Sequence, residues 1–187
     1  MKNSIYKEIV YKSPTGYAYH KIILDEHGSP IDYTIMDANK SFERYTGIKI
    51  DKVIGKKITE ILPEIINDKI DWVSEYGHVA LDGEEKEFEQ YSHALKRHYR
   101  IKAFSPEKNH FITLFTDITV EKETEMREIE SLNKFKSYIN NAPYGVFVVD
   151  HDGNYLEVNQ EACNMTGYSE KELSGINLVD LIALEDK

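Results

Sequence analysis

Histidine, aspartate and cysteine side chains are the residues of this 187-residue sequence whose spacing could support metal or covalent chemistry. Residues 150–154, DHDGN, begin like a calcium-binding loop, but the continuation that would supply the remaining ligands is missing, so we interpret the segment as a turn. His93 and His98 have no further ligands in register, and we expect no metal site. The single cysteine, Cys163, is predicted to be a small core residue.

Motifs of the common enzyme classes are missing from the sequence. It contains no Gly-x-Ser-x-Gly motif, no P-loop, no Cys/His metal spacing and no phosphoacceptor histidine in a helical His-Glu context. We therefore predict that the chain is not itself an enzyme. The remaining side chains with functional potential are mostly aromatic. Trp72 and Tyr76, for example, lie four positions apart in a stretch of helical periodicity and share one helix face.

The composition is that of an ordinary soluble globular protein, with 41% hydrophobic and 30% charged residues. The formal net charge of -10 disfavours nucleic acid and anionic membrane surfaces as partners. No run approaches the roughly 18 apolar residues that span a bilayer, and the N-terminus lacks the apolar region of a signal peptide. The single cysteine fits a reducing compartment. We therefore expect a cytoplasmic segment that contacts neither nucleic acid nor membrane.

An internal repeat organises the chain. Four anchor residues of the first half recur in the second at an offset of 120: Asn39, Thr46, Gly47 and Gly55 match Asn159, Thr166, Gly167 and Gly175. Asparagine is a strong N-cap and glycine supplies the left-handed residue that ends a helix, so each Asn–Gly pair is predicted to bracket a two-turn helix. The last glycine of each set is predicted to mark a turn between two further short helices. The repetition indicates two related units.

The elements around these anchors predict an α+β fold. A strand over 17–24, an Asp-Gly turn and a second strand precede the first anchor. One longer helix is predicted over roughly 64–81, followed by strands over 86–93, 97–104 and 110–118. The first of these three alternates charged and apolar residues, as edge strands do, and the last is apolar on both faces, as central strands are. This order predicts an antiparallel sheet with helices on one face.

From Thr119 the sequence is helical and charged, and neither Gly nor Pro interrupts it before Pro143. The apolar residues that fit a heptad are Ile118, Ile129, Leu132 and Ile139. The charged residues that interrupt this heptad are Lys122, Glu125 and Lys136. A two-helix coiled coil and a solvated connecting helix are equally compatible with this pattern.

Five segments of the first half together resemble the PAS domains of bacterial and archaeal sensor histidine kinases and diguanylate cyclases. These segments are GYAYHKIILDEHGSPIDYTIMDANKSFERYTG, IGKKITEILPEI, VALDGE, RHYRIKAFSP and FTDIT. The family fold is a five-stranded antiparallel sheet of order 2-1-5-4-3, with helices forming a pocket over one face. The second half resembles the more common PAS subtype through the segment APYGVFVVDHDGNYLEVNQEACNMTGYSEKELSGINLVDLI.

The resemblance divides the chain into four parts. We expect a lead-in helix over 1–15, a complete PAS domain over 16–119, a helical signalling linker over 120–142 and the N-terminal part of a truncated second PAS domain over 143–187. Residues after about 143 are expected to be mobile or to pair with another chain, because an isolated hairpin is marginal in water.

The resemblance also implies a ligand pocket. Candidates for its wall are His20, Phe42, Trp72, Tyr76, Tyr91 and Tyr99, which would suit an aromatic or apolar ligand with a polar tip or would simply fill the core. For His20, one alternative is a hydrogen bond to the ligand or titration near neutral pH, and a satisfied core histidine is the favoured alternative. The helix after the Asp-Ile-Thr motif passes the signal on in this family, so Asp117 and Thr119 form the predicted relay junction, where either could cap the helix.

Two cofactors of the family are not expected. Flavin photoreceptors need a reactive cysteine, where this sequence has Leu178 in the second unit and Ile58 in the first. Haem-binding relatives place a histidine on the long helix facing the pocket, and His78 lies off the face of Trp72 and Tyr76. The identity of any other cofactor stays open.

The predicted function is a non-catalytic sensory module that binds a small ligand, dimerises, or does both, and relays the change through the helix after Asp117. We expect a homodimer and a downstream histidine kinase or cyclase domain in the parent chain, which could be anchored to a membrane elsewhere. Two alternatives remain: a ligand-free dimerisation or scaffolding module, and the PAS region of a diguanylate cyclase.

Overall fold

The computed structural model describes residues 2–185, and side chains over residues 5–181. The chain consists of two compact units, Met1–Glu123 and Thr124–Lys187. Each has its own hydrophobic cluster.

The first unit combines helices with one antiparallel sheet. Its helices are α1 (Lys2–Lys12), α2 (Lys40–Thr46), α3 (Ile50–Val53), α4 (Ile58–Ile61), a 3-10 helix (Pro63–Asn67) and α5 (Trp72–Asp82). Its strands are β1 (Gly16–Leu24), β2 (Pro30–Ala38), β3 (Lys86–Ser92), β4 (Arg97–Phe104) and β5 (His110–Asp117). The helix α6 (Thr119–Asn140) begins in this unit and continues into the second.

The sheet has the order β2-β1-β5-β4-β3, and all its strand pairs are antiparallel. This confirms the predicted α+β fold and strand order. As predicted, β5 is central and β3 lies at an edge. On β1, His20 pairs with Ile35 of β2 and with Phe111 of β5, so it lies in the middle of the sheet.

The core of the first unit includes residues from the sheet and from α5, which packs against β1, β2, β4 and β5. Gly77 of α5 permits a close approach to β2. A Cβ atom at Gly77 would lie 2.2 Å from Cγ of Pro30, closer than any real contact, so a residue without a side chain is needed there.

The prediction of one continuous helix over roughly 64–81 is wrong. The structure has the 3-10 helix, then an irregular segment, and α5 starts only at Trp72. Asp71 caps α5 by accepting a hydrogen bond from the backbone N–H of Ser74 at 3.1 Å. Asp68 accepts bonds from Trp72 and from the backbone N–H of His93, a partner distant in sequence. Helical periodicity alone does not reveal these competing bonds.

Asn39 is buried and uses its whole side-chain hydrogen-bonding capacity. Its Oδ1 accepts from the backbone N–H groups of Tyr17 (3.0 Å) and Phe42 (2.9 Å). Its Nδ2 donates to the carbonyls of Val10 and Thr15, both at 2.9 Å. One side chain therefore joins the end of α1, the start of β1 and the first turn of α2. The predicted N-cap at Asn39 and the left-handed Gly47 are confirmed.

The second unit contains β6 (Phe147–Val149), β7 (Tyr155–Val158), α7 (Gln160–Thr166), α8 (Glu170–Leu173) and α9 (Leu178–Glu185). The strands β6 and β7 form an antiparallel pair. Its buried cluster consists of Tyr155, Val158, Ala162, Leu173 and Leu181. Within the described residues, no helix has the length and hydropathy that crossing a membrane requires.

Asn159 repeats the bonding of Asn39. Its Oδ1 accepts from the backbone N–H groups of Val146 (2.8 Å) and Ala162 (2.9 Å), and its Nδ2 donates to the carbonyls of Ile139 and Tyr144 at 2.9 Å. The predicted cap of α7 is confirmed, and Asn159 also holds the last turn of α6.

Candidate functional site

A cavity of about 100 Å³ lies in the first unit. Its wall is mostly apolar: Ile35, Phe42, Ile48, Ile58, Ile61, Leu62, Ile65, Leu95, Ile101 and Phe115. The helices α2 and α4, the 3-10 helix, α5 and the sheet all contribute residues to it. The cavity therefore lies where the sheet and the helices enclose apolar space.

Five of the six predicted wall residues lie together around this cavity: His20, Phe42, Trp72, Tyr76 and Tyr99. Phe42 and Tyr99 each meet Phe115 edge-on, with ring centroids 5.9 and 5.8 Å apart. The hydroxyl of Tyr99 donates to the carbonyl of Tyr45 at 2.8 Å, which ties β4 to α2.

Tyr91 does not line the cavity, which corrects the prediction for this residue. Side chains alternate between the two faces of a strand, and on β3 it is Phe88 and Ser92 that face the core and the cavity. Tyr91 therefore points to the opposite face, where its ring contacts those of His93 and His98. The sequence showed the alternation of β3, but the wrong face was assigned to Tyr91.

His20 is buried in the cavity wall, 5% exposed. Its Nε2 lies 2.9 Å from Oγ1 of Thr113, and its Nδ1 has no hydrogen-bond partner among the described residues. Burial lowers the pKa of His20 to about 3, so the imidazole is neutral near pH 7. Titration of His20 near neutral pH, one of the two alternatives from the sequence, is therefore wrong for the folded chain.

Four rings form a continuous stack beside the cavity. Trp72 stacks on Tyr76 (5.4 Å between centroids), Tyr76 on Phe111 (4.8 Å) and Phe111 on His20 (4.4 Å). Tyr33 meets three of these rings edge-on. The stack therefore links α5 to the centre of the sheet.

The sequence analysis missed five polar wall residues: Tyr33, Thr46, Asp68, Ser92 and Thr113. The carboxylate of Asp68 accepts from Nε1 of Trp72 at 2.8 Å and from the backbone N–H of His93 at 2.7 Å. Tyr33 lies two residues before Ile35 on β2, and this alternation was the available signal for it. Asp68 lies only four residues from Trp72, but its bond to His93, 25 residues away, leaves no local pattern.

The predicted relay junction lies where β5 passes into α6. Oδ1 of Asp117 accepts from the backbone N–H (3.0 Å) and the hydroxyl (2.6 Å) of Thr119, and its Oδ2 pairs with the Arg97 guanidinium. The hydroxyl oxygen of Thr119 accepts from the backbone N–H of His98 at 2.9 Å. Burial raises the pKa of Asp117, but the bonds from Thr119 and Arg97 outweigh it and hold that pKa below its usual value.

Ion pairs extend this junction along the first turn of α6. Arg100 of β4 pairs with Glu89 of β3 (2.7 Å) and with Glu121 of α6 (3.1 Å), and Lys122 of α6 pairs with Glu89 (3.0 Å). Each pair is exposed and contributes little alone. Together they attach the start of the helix to the two strands at the far side of the sheet.

The structure also gives the positions of the residues on which the flavin and haem expectations depend. Ile58 lines the cavity at the start of α4, and the single cysteine of the chain, Cys163, lies in α7 of the second unit. His78 is exposed and contacts Asp82 rather than the cavity. Among the described residues, no group of three or more His, Cys, Asp or Glu side chains could hold a metal ion.

Several solved structures are similar to parts of this chain. A PAS domain of Bordetella pertussis BvgS is 15% identical, covering 72% of this chain and 99% of that one, with a TM-score of 0.37. A domain of a sensory box sensor histidine kinase/response regulator from Geobacter sulfurreducens is 12% identical, covering 62% and 94%, with a TM-score of 0.42.

An RNA-binding light-oxygen-voltage receptor is 17% identical over 73% of this chain, with a TM-score of 0.48, and the match spans only 38% of the receptor. No curated protein matches this chain.

Two family models match the chain. The model described as PAS domain matches residues 20–127, which include the cavity and the junction at Asp117, and the model described as PAS fold matches residues 133–187. The first match alone covers more than half of the sequence. This chain belongs to the PAS domain family.

Proposed function

We propose that the first unit binds a small molecule in its cavity and relays the occupancy of that cavity to α6. In the parent protein, α6 and the second unit would pass the change to an output domain, such as a histidine kinase or a diguanylate cyclase. The chain itself would perform no catalysis, and it would act as a homodimer in the cytoplasm.

One observation carries this proposal: a single strand contains both the cavity wall and the anchor of the helix. Thr113 and Phe115 of β5 line the cavity, and Asp117, two residues further on, holds the first turn of α6. Side chains at i, i+2 and i+4 lie on the same face of a strand. A ligand that displaces Thr113 or Phe115 would therefore shift the residue that positions α6.

Hydrogen exchange tests this relay. We would measure exchange of the backbone amides of residues 118–123 with and without a small molecule that binds the cavity, using cyclohexanone, toluene and cyclobutanecarboxylate as probes. Binding is detected through Trp72, the single tryptophan of the chain, which lines the cavity. We expect a change in exchange at 118–123 for any probe that binds, and loss of that change in Asp117→Ala.

The matched control is Asp25→Ala in the turn between β1 and β2. There Oδ1 of Asp25 accepts from the backbone N–H groups of His27 and Ser29, a similar local role far from the junction. This variant should respond like the unmodified chain. Binding that leaves residues 118–123 unchanged would refute the relay.

The scaffolding alternative makes a different prediction. A ligand-free dimerisation module should bind none of the three probes and should sediment as a dimer at micromolar concentration. Cavity binding by a chain that stays monomeric would support sensing and count against dimerisation.

A further inference from the structure

The polar atoms of the cavity restrict what it can hold. The hydroxyl groups of Tyr33 and Tyr76 belong to side chains that are 3% and 5% exposed, and both residues line the cavity. Neither hydroxyl makes a hydrogen bond to any described residue. Both hydroxyls are therefore free to donate a hydrogen bond to a molecule in the cavity.

Thr113 adds a third donor. If Nδ1 of His20 carried the hydrogen, a buried N–H would have no acceptor, because Nδ1 has no partner among the described residues. An unpaired buried acceptor is tolerated better than an unpaired donor, so we assign the hydrogen to Nε2, which then donates to Oγ1 of Thr113. The hydrogen of the Thr113 hydroxyl is then available to the cavity.

The charges around the cavity disfavour an anion. Of the described residues that line it, none is lysine or arginine, and Asp68 is acidic. His20 supplies no positive charge, since burial lowers its pKa to about 3. A carboxylate or phosphate placed here would lose its hydration without gaining a counter-ion.

Each carboxylate oxygen of Asp68 already accepts one hydrogen bond. They receive bonds from Nε1 of Trp72 and the backbone N–H of His93. The cavity therefore offers three hydroxyl donors, and under this assignment Nδ1 of His20 is an acceptor without a donor.

We propose that the cavity binds a small, neutral, mostly apolar molecule that carries a carbonyl or similar acceptor oxygen, bound by the hydroxyls of Tyr33, Tyr76 and Thr113. This inference rests on the proposed function and specifies its ligand. The volume of about 100 Å³ is below the ~150 Å³ of a known benzene-binding cavity, so it restricts the ligand to the size of a single small ring. The rest of the wall is apolar and matches a hydrocarbon ring.

Three probes of equal heavy-atom count separate the possible ligand classes. Cyclohexanone is a neutral acceptor, toluene lacks an acceptor, and cyclobutanecarboxylate is an anion. The full chain labelled with 5-fluorotryptophan gives one fluorine resonance, because Trp72 is the only tryptophan. Its shift during a titration measures the Kd of each probe. We expect cyclohexanone to bind at least about tenfold more tightly than either of the others, the effect of one or more buried hydrogen bonds.

Variants locate the hydrogen bonds. Tyr33→Phe and Tyr76→Phe remove a hydroxyl and keep the ring, and each should weaken cyclohexanone binding about tenfold without weakening toluene binding. Tyr91→Phe, on the opposite face of the sheet, is the matched control and should leave both affinities unchanged. Near-UV circular dichroism verifies that the variants keep their packing.

Three outcomes would overturn the proposal. In the first, toluene or the carboxylate binds as tightly as cyclohexanone. In the second, both Tyr→Phe variants retain the affinity for cyclohexanone. In the third, no probe shifts the fluorine resonance, which would mean that water occupies the donors. Toluene binding that still changes exchange at 118–123 would refute this ligand class while leaving the relay intact.

Discussion

At the scale of single residues, His20 and its neighbours determine the chemistry of the cavity. The imidazole is stacked on Phe111 and bonded through Nε2 to Thr113, so it serves as a neutral hydrogen-bonding group rather than as a charged one. Its position in the middle of the sheet makes protonation costly, because a charge there would be desolvated.

This burial predicts a pH dependence of stability. The folded-state pKa of His20 is about 3, below the ordinary value of 6.5, so between these values the unfolded chain binds a proton that the folded chain does not. Stability therefore falls as the pH falls from about 6.5 towards 3. From pH 7 to pH 5 the loss due to His20 should be about 2 kcal/mol.

Urea unfolding of the unmodified chain and of His20→Gln at both pH values measures this loss. The glutamine does not titrate, so the variant should lack this part of the pH dependence even if its stability is lower throughout. His27→Gln, in the exposed turn after β1, is the control and should retain the full dependence. Equal pH slopes for His20→Gln and the unmodified chain would contradict the assignment.

Which residues form the cavity could be predicted only in part. Aromatic side chains at helical spacing and on a β-rich segment correctly indicated Trp72, Tyr76 and His20. Tyr91 was assigned to the wrong face because alternation gives two faces but does not say which is buried. Asp68 was not found, since its bond to the backbone of His93 depends on the packing of a segment 25 residues away.

At the scale of elements, the packing of α5 on β2 depends on Gly77. Alanine favours helices over glycine by about 1 kcal/mol. At this position, however, the new Cβ would lie 2.2 Å from Cγ of Pro30. We expect Gly77→Ala to destabilise the first unit by about 1–3 kcal/mol, as overpacking does, despite its better helix propensity.

Urea unfolding monitored by Trp72 fluorescence tests this contact. Adding Pro30→Ala should recover part of the loss, because it removes the ring that the new methyl group meets, and a double-mutant cycle isolates that coupling. His78→Ala, at an exposed site on the same helix, is the control for helix propensity. A Gly77→Ala variant as stable as the unmodified chain would show that α5 can shift away from β2.

Several elements were predictable because their signals are local. Caps and turns depend on residues a few positions apart, so α2 and α7 followed directly from Asn39, Gly47, Asn159 and Gly167. The strand order came from the resemblance to a known family, since pairing between distant strands leaves no local trace. The interruption before α5 was missed for the same reason, because Asp68 bonds across the fold.

At the scale of the whole molecule, the two units have separate hydrophobic clusters. Leu173 is fully buried in the second cluster and Val79 in the first. Truncation of either to alanine should cost its own unit about 2–4 kcal/mol. Trp72 fluorescence reports the first unit, whereas far-ultraviolet circular dichroism reports both.

We therefore expect Leu173→Ala to change the dichroism transition while the fluorescence transition keeps its midpoint, and Val79→Ala to lower the fluorescence midpoint. A fluorescence midpoint that moves equally in both variants would mean that the chain unfolds as one cooperative body.

The paired asparagines also have a consequence for how such a chain can be lengthened. Asn39 holds the end of α1, Asn159 holds the last turn of α6, and α6 starts from the Asp117 junction of the unit before it. The first unit thus receives one helix at Asn39 and sends out another from its Asp117 junction, and the second unit receives that helix at Asn159. A residue inserted into α6 turns one joint by about 100° relative to the other, whereas seven residues return it to within roughly 20°.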